Sequence, residues 1–494
     1  MASSTLYING KWQNGERTEE SVNPSTGEVL GCFGVASDKQ VRDAVIAART
    51  AFSKWSKTPV MDRVKSMKAV ADSIRSRAGA LQELITKEMG KPLPESEIEV
   101  AETADMITFL AEQTSLALSG EVCPVDDVLF PGKFNYGLSR PLGVVAAIKP
   151  WNYPLELSVW SVAAALLAGN TVVLKPSEYT PLVAQALAEC MSSGDLPPGV
   201  FNLLTGGPDV GKHLVLSDVD CVAFTGSMET GKAISQAVAG RPIKLHLELG
   251  GKDPFIVCSD ANLELAARGG VWGAFTNCGQ VCVSAERFIV TEKIAAQFTD
   301  LFVEYSRTLR VGDPITNAVD VGPLVSSRQL AKVEAHVISA VAQGARVLLG
   351  GKRADAPNLA KGFFYEPTIL ANVTPTMPVW VEETFGPVAP IAVVDDEEAA
   401  IALASESRYD LGASLWTSSI SNAFVLAQRI RAGLVWVNDV NVAFAAGPWG
   451  GFLRSGTAKD LSAKALHEFS AYTHISIDYG TAMSRPWWYP YGRT

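Results

Sequence analysis

Histidine is scarce in this chain, five in 494 residues, so a thiol–imidazole pair or a histidine-rich metal centre has little to draw on. Cysteine is thin as well: Cys32, Cys123, Cys190, Cys221, Cys258, Cys278 and Cys282. An odd, scattered set implies no disulfide framework and suits a reducing cytoplasm. Cys278 and Cys282 lack a second pair and a nearby histidine, so no metal site is expected. Positive charge is in deficit, 42 Lys and Arg against 52 Asp and Glu, net −10. That argues against nucleic acid or an anionic membrane as partner. No apolar run is long enough to span a bilayer, and MASSTLYING has no basic-then-apolar signal, so no targeting segment is expected.

What is present is ordinary globular material in quantity. Hydrophobic residues make up 47% and charged residues 19%, and the length predicts two or three domains. The first 115 or so residues read mainly as helix. In SDKQVRDAVIAARTAFSKW, Val41, Ala44, Val45, Ala48, Phe52 and Trp55 share one face, with Ser37 or Asp38 as N-cap. A second helical stretch runs from Met61 to Met89 and stops at Gly90. Turn residues from 119 to 141 suggest a hairpin leaving the main body. From 142 onward GVVAAIKPW, TVVLKPSE, FNLLTG and CVAFTGS are short strands alternating with helical stretches, the pattern of a parallel sheet covered on both faces. A second series follows residue 250, with ERFIVTEK, RVLLGG, VAPIAVV and LVWVND as strands. The expected class is α/β. A Rossmann-like parallel-sheet domain would occupy 1–118 and 142–250, and a second α/β domain 251–457. The β-hairpin and C-terminal segment, 119–141 and 458–494, form an outlying element.

Ligands of an open parallel sheet bind beyond the carboxyl ends of its strands, and four such ends carry chemistry. KPWNYP offers Asn152, a neutral amide donor, and LKPSE offers Lys175 and Glu178, suited to ribose hydroxyls. FTGSMETG puts Gly226 and Ser227 at a strand-to-helix turn whose free N–H groups can meet a phosphate. Its spacing is neither G-x-G-x-x-G nor a P-loop, and a plain glycine-punctuated helix start also explains it. LHLELGGKDPF ends an apolar strand on Glu248, with Gly250 and Gly251 leaving open space around it. A carboxylate there needs solvent, a local turn to cap, a partner such as Lys252, or a chemical task.

FTNCGQVCVSAERF, 275–288, raises the question of which thiol reacts and what takes its proton. FTGS, ELGGK and GQVC, with PWNYP and EETFGPV, stand in the order and spacing of the NAD(P)-dependent aldehyde dehydrogenase superfamily. The chain resembles that family from NPSTGE to GPWGGFLRSG, with Glu248 and Cys282 at the family's usual interval of 34 residues. The resemblance implies that Cys282 is the nucleophile and Glu248 the general base, so no histidine is needed. Cys278 matches no catalytic position and reads as a small inert hydrophobe. Cys282 would add to the aldehyde, with Asn152 and the Cys282 N–H as oxyanion hole. Hydride would pass to the nicotinamide, and Glu248 would then activate water to release the acid from the thioester.

NAD is the implied cofactor, with NADP possible. Ile148 and Trp151 would line its cleft, and Lys175 and Glu178 would hold the adenosine ribose. Gly226, Ser227 and Gly231 would meet the pyrophosphate, while Glu383 and Phe385 would position the nicotinamide ribose. Glu178 favours NAD, because a carboxylate repels a 2′-phosphate. The first domain would bind NAD and the second would be catalytic. The hairpin and the strand-like AYTHISID resemble intersubunit elements, so a homodimer or homotetramer is implied. RSGTAKDLSAKALHEF resembles the segment that supplies a second carboxylate for proton relay, with Asp460 in that place. Asp is shorter than the usual Glu, and a surface Asp near a helix start is expected instead.

Tyr153, Leu157, Trp160, Thr276 and Trp449 should face a small-molecule aldehyde. Tyr153, Trp160 and Trp449 match aromatics with which betaine-aldehyde and aminoaldehyde dehydrogenases cage an ammonium group. Glu99 and Glu102 fall near that subgroup's acidic positions. Thr276 stands where a further tryptophan would be expected, so a neutral aromatic or aliphatic aldehyde is the expected substrate and a cationic one the alternative. Trp160 argues against a succinate-semialdehyde enzyme, whose relatives carry arginine there. The tail RPWWYPYG would cap a tunnel mouth or pack at an interface. Three rival classes fit less well. A CoA-acylating enzyme would lack Glu248, and a cofactor-free thiol hydrolase would leave LKPSE and EETFGPV unexplained. A non-catalytic binding protein on this fold would be expected to have lost Cys282, Glu248 or Asn152.

Overall fold

The computed structural model describes residues 5–316, 318–480 and 488–489. Among them, the first sheet has seven strands in the order Lys244–Leu249, Cys221–Gly226, Val144–Ile148, Thr171–Lys175, Phe201–Leu203, Leu6–Ile8 and Lys11–Gln13. The first five run parallel and the last two antiparallel. Val144–Ile148 and Thr171–Lys175 are buried at every position, as strands with helices on both faces must be.

The N-terminal region is less helical than its sequence suggests. Before the first helix, four short strands occupy Leu6–Ile8, Lys11–Gln13, Arg17–Val22 and Val29–Val35; short, partly exposed edge strands carry little apolar periodicity. Ser37 then caps Asp38–Trp55 in a reciprocal box with Gln40. The stretch read as one helix breaks at Arg77 into Val60–Ser76 and Ala78–Met89. Gly90, at φ 96°, ends it, a left-handed stop open to glycine.

The second sheet is ordered Arg346–Leu349, Thr368–Ala371, Val388–Val394, Ala285–Thr291, Asp253–Val257, Gly412–Trp416 and Leu434–Val437. Only its first pair is antiparallel. A third sheet joins Ser470–Asp478 to Lys133–Pro141 over nine residue pairs, with Glu121–Cys123 beyond. The 119–141 excursion is thus tied to the C-terminal segment. Most of the tail RPWWYPYG lies outside the described residues. Among the described residues no helix is long and apolar enough to cross a membrane.

One irregular segment shapes the surroundings of Glu248. Residues 455–460 run beside the strand Lys244–Leu249, with Leu249 donating to the Ser455 carbonyl at 2.9 Å and Thr457 to the Leu247 carbonyl at 3.0 Å. Trp449 and Asp460 exchange two backbone hydrogen bonds of 2.8 Å. A distant stretch of chain is thereby held against the strand that carries Glu248 near its end.

Candidate active site

Cys282 lies between the helix Leu263–Phe275 and the strand Ala285–Thr291. The chain leaves that helix through three left-handed residues, Asn277 (φ 49°), Cys278 (φ 57°) and Gly279 (φ 70°). Gly279 is required twice over, because a Cβ there would also strike the Gly386 carbonyl. The turn drives Cys278 inward, 1% exposed and packed with buried apolar side chains, where burial pushes its thiol far up. Cys282, four residues on, is only partly covered.

The loop bearing Asn152 is tied to the same turn. Asn277 Nδ2 donates to the Asn152 carbonyl at 3.1 Å, and Asn152 Nδ2 donates to the Gln280 carbonyl at 3.0 Å. One N–H of Asn152 thus anchors the side chain, while Asn152 also borders the cavity that holds Cys282.

Glu248 is 2% exposed, and its Oε1 is without a hydrogen-bond partner among the described residues. Burial, then the charge of Asp460, pushes its carboxyl up to about 8, with Lys149 opposing. Burial raises the Cys282 thiol well above its ordinary value, and Glu248, Asp253 and Glu383 add to the effect. At neutral pH both groups therefore hold their protons at rest; Glu248 ionises as pH rises through about 8, and the thiol, held higher still, depends on that carboxylate to lose its proton.

The expectation of open space at Gly250 and Gly251 is corrected. A Cβ on Gly250 would run into the Glu383 carboxylate, and one on Gly251 into the Cys282 carbonyl. The glycines are there because Glu383 and Cys282 close onto this strand end. Nor does Lys252 serve Glu248: it pairs with Glu286 inside the second half of the chain. Glu286 in turn accepts from the N–H groups of Thr384 and Phe385, each at 2.7 Å, which pins the EETFGPV turn. Sequence reasoning passed over Glu286, a carboxylate with no motif of its own.

Two cavities meet at Cys282. The larger, about 650 Å³, is bordered by Trp151, Asn152, Ser227, Glu248, Glu383 and Phe385 among others. Trp151 meets the edge of Phe385 at 5.4 Å and 88°, and the Ser227 side chain caps the helix Met228–Val238 by accepting from Thr230 N–H at 3.2 Å. Arg328, Gln329 and Lys332 also border this cavity and were not foreseen. Gln329 Nε2 donates to the carbonyls of Thr384 and Phe385 at 2.9 and 2.8 Å, a job legible only once the two turns are adjacent. Ile148, Lys175, Glu178 and Gly231 stand back from the cavity wall. Lys175 Nζ lies 3.6 Å from Glu178 Oε2, and Gly231 packs so tightly on Leu249 that a Cβ would clash.

The smaller cavity, about 210 Å³, shares Cys282 and Leu157 with the first and is also bordered by Tyr153, Trp160, Thr276 and Trp449. Those pocket residues of the sequence reading do come together. Trp160 and Trp449 meet edge to face at 5.4 Å. Three carboxyl groups face the same space, Glu95, Glu102 and Glu156, and none of the lining residues is basic. Burial raises Glu95 to about 7 and Glu156 well above the usual carboxylate range. Sequence reading missed Glu95 and Glu156, as well as Trp272 at the rim.

Glu99, by contrast, is not a pocket acid. It is fully buried, 2.6 Å from Lys91 Nζ, and accepts from the N–H groups of Leu155 and Glu156 at 2.9 and 3.3 Å. Lys91 Nζ also sits 3.4 Å above the Tyr153 ring, so one face of that aromatic already carries a cation. Breaking a buried pair leaves an uncompensated charge, so Glu99→Gln is expected to lower stability by about 3–5 kcal/mol. A urea midpoint unchanged from wild type would contradict that role; a Lys91→Met, Glu99→Gln double variant, which keeps an acceptor for the Leu155 and Glu156 N–H groups, should recover much of the loss.

Asp460 also departs from expectation. It is no surface residue: it is 1% exposed, with Oδ1 2.9 Å from His246 Nε2. The hydrogen bonds of 455–460 to the strand carry it inside, an arrangement no local pattern announces.

With the geometry in place, comparison with known proteins is direct. A profile of the aldehyde dehydrogenase family matches residues 12–475. The chain is 37% identical over 479 residues to a betaine aldehyde dehydrogenase of Bacillus subtilis, covering 96% of this chain and 97% of that protein. It is 36% identical over 499 residues to a chloroplastic aminoaldehyde dehydrogenase of Arabidopsis thaliana, covering 99% and 98%. The crystal structure of betaine aldehyde dehydrogenase from Staphylococcus aureus in complex with NAD+ superposes with a TM-score of 0.94 at 33% identity, covering 98% and 97%. By sequence along nearly its whole length and by its two-sheet architecture, the chain belongs to the aldehyde dehydrogenase family.

Proposed function

We propose that the protein oxidises an aldehyde bearing an ammonium group to its carboxylic acid, using NAD+ and water. The reaction class rests on one observation: Cys282 stands where the two cavities meet, with Asn152 and Glu248 beside it. The larger cavity has the groups a dinucleotide needs: N–H donors at the helix N-terminus by Ser227, the aromatic rings of Trp151 and Phe385, and the Glu383 carboxylate as acceptor for ribose hydroxyls. When bound there, NAD+ supplies the hydride acceptor. Glu178, from the end of the neighbouring strand, favours NAD over its 2′-phosphorylated form. The domain built on the first sheet, 1–118 and 142–250, would hold it, and 251–457 would carry the nucleophile.

This chain's own residues do the rest. Glu248 in its ionised form takes the thiol proton and passes it to solvent, so that it is a free base again before hydrolysis, and Cys282 adds to the aldehyde carbon. Asn152 and the Cys282 N–H hold the oxygen that becomes negative. After oxidation to the thioester, Glu248 removes a proton from the attacking water, the C–S bond breaks, and the acid leaves with Cys282 restored. Glu383, held by Gly251 N–H at 3.2 Å, keeps the cofactor side of the cleft in register with the thiol. The third sheet exposes Val122, Phe134, Ile475 and Ile477, which supports self-association as a dimer or tetramer.

The ammonium assignment differs from the neutral aldehyde expected from Thr276. It is supported by Glu95, Glu102 and Glu156 facing aromatic rings in a cavity with no basic lining residue. An isosteric pair tests it: trimethylammonioacetaldehyde against 3,3-dimethylbutanal, which differ in a charged nitrogen for a carbon. The expected ratio of kcat/KM is about tenfold or more in favour of the cation. Glu95 gains its charge as pH rises through about 7, so the ratio should grow from pH 6 to pH 8 while KM for the neutral aldehyde moves little. A ratio near one at both pH values would return the pocket to neutral aldehydes.

A further inference from the structure

We infer that His246 is a positioning residue for thioester hydrolysis: hydrogen-bonded to Asp460, it holds that buried carboxylate in the network that runs through Ser161 and Lys149 to the strand pair carrying Glu248. His246 and Glu248 are two residues apart on the strand Lys244–Leu249 and so project from the same face. A chain of hydrogen bonds leaves the imidazole. His246 Nε2 is 2.9 Å from Asp460 Oδ1, and Ser161 Oγ lies 3.4 Å from that same oxygen. Lys149 Nζ donates to Ser161 Oγ at 2.6 Å and to Thr225 Oγ1 at 2.9 Å. Thr225 is the register partner of Glu248 on the adjoining strand. Every member of this chain is buried.

A space-filling role does not account for the imidazole. It is fully buried and stacks on Phe469 at 4.9 Å, yet its Nδ1 is without a partner among the described residues. An unsatisfied buried nitrogen is destabilising, and an apolar side chain would fill the place without that cost. Charge gives it a purpose. Burial alone would raise the Asp460 carboxyl, but His246 and then Lys149 more than offset this and hold it below its ordinary value. The Asp460 charge is in turn the main neighbour that raises Glu248, with Lys149 opposing and Glu383 adding a little. The other titratable groups around the cluster are the Cys282 thiol, the Cys221 thiol near Lys149, and the Lys244–Glu468 ion pair at the strand's start.

Without the imidazole donor, a buried Asp460 takes up a proton, Glu248 loses the negative charge that raises it, and its titration moves to lower pH. The step to follow is hydrolysis of an acetyl-enzyme formed from p-nitrophenyl acetate without cofactor. Acylation forms the S–acyl bond and expels p-nitrophenolate; water then releases acetate and restores the thiol. In the wild-type protein the rate of this hydrolysis should rise with a limb near pH 8. His246→Leu should move the limb about one pH unit to the acid side, Asp460→Asn should do the same, and the double variant should move it no further. His246→Gln, which keeps an N–H donor but no ring charge, should move the limb less than His246→Leu. The proposal rests on Glu248 as the base, so Glu248→Gln is the separate control: it should show no limb, and a limb that survived would remove the base itself. The proposal is overturned if the limb of folded His246→Leu stays put or moves to alkaline pH, or if His246→Gln shifts as far as His246→Leu. Should His246→Leu fail to fold, an unmoved limb in Asp460→Asn overturns it equally.

Discussion

Cys282→Ala is expected to abolish aldehyde-dependent reduction of NAD+, on the order of 10⁴-fold or more, while Cys278→Ala keeps most of the wild-type turnover. The two thiols are four residues apart, but the left-handed turn at 277–279 sends them to opposite fates. Cys282 borders both cavities. Cys278 is sealed among apolar side chains with its thiol strongly protonated. Losing the nucleophile removes the covalent route, and a large rate loss results because no other group near the carbonyl can replace it. Losing Cys278 removes one buried sulfur, a packing loss of about 1 kcal/mol. Comparable loss of turnover in the two variants would put the wrong thiol at the centre.

Glu248→Gln is expected to reduce steady-state turnover by about 10²–10⁴-fold and to change its shape. At alkaline pH a small fraction of the Cys282 thiol ionises without the base, so a first turnover should still occur, slowly. Hydrolysis lacks its base, so the acyl-enzyme should accumulate, giving a burst approaching one reduced cofactor per chain before a slow steady rate. The wild-type limb, set by a carboxyl at about 8, should vanish. A uniform loss with no burst would confine Glu248 to thiol activation and leave water activation to another group.

How much of this could be read from the sequence reflects a physical divide. Strands buried on both faces, such as Val144–Ile148 and Thr171–Lys175, announce themselves by continuous apolar runs. Gly412–Trp416 is as short and as buried but reads GASLW, with no β-branched residue, and Thr368–Ala371 has only four residues to show a pattern. That Cys282, Glu248 and Asn152 share one cavity was legible because motif, spacing and residue type pointed the same way. Glu95 and Gln329 were not, because their partners, the Asn277 N–H and the Thr384 and Phe385 carbonyls, are remote in sequence. Asp460 is the sharpest case. Its own surroundings read as a surface turn, and only pairing of 455–460 with the strand Lys244–Leu249 puts it against His246. Gly250 and Gly251 were noticed for the right reason and misread: what they make room for is Glu383 and the Cys282 backbone.

The convergence at Cys282 is tested most directly by trapping the intermediate. Glu248→Gln protein, mixed with NAD+ and aldehyde, is quenched in acid during the burst and its peptides are weighed by mass spectrometry. One acyl group per chain on Cys282, matching the reduced cofactor formed, is the expected result. Reduced cofactor with no acylated thiol, or an acyl group on Cys278, would contradict a nucleophile seated between the two cavities.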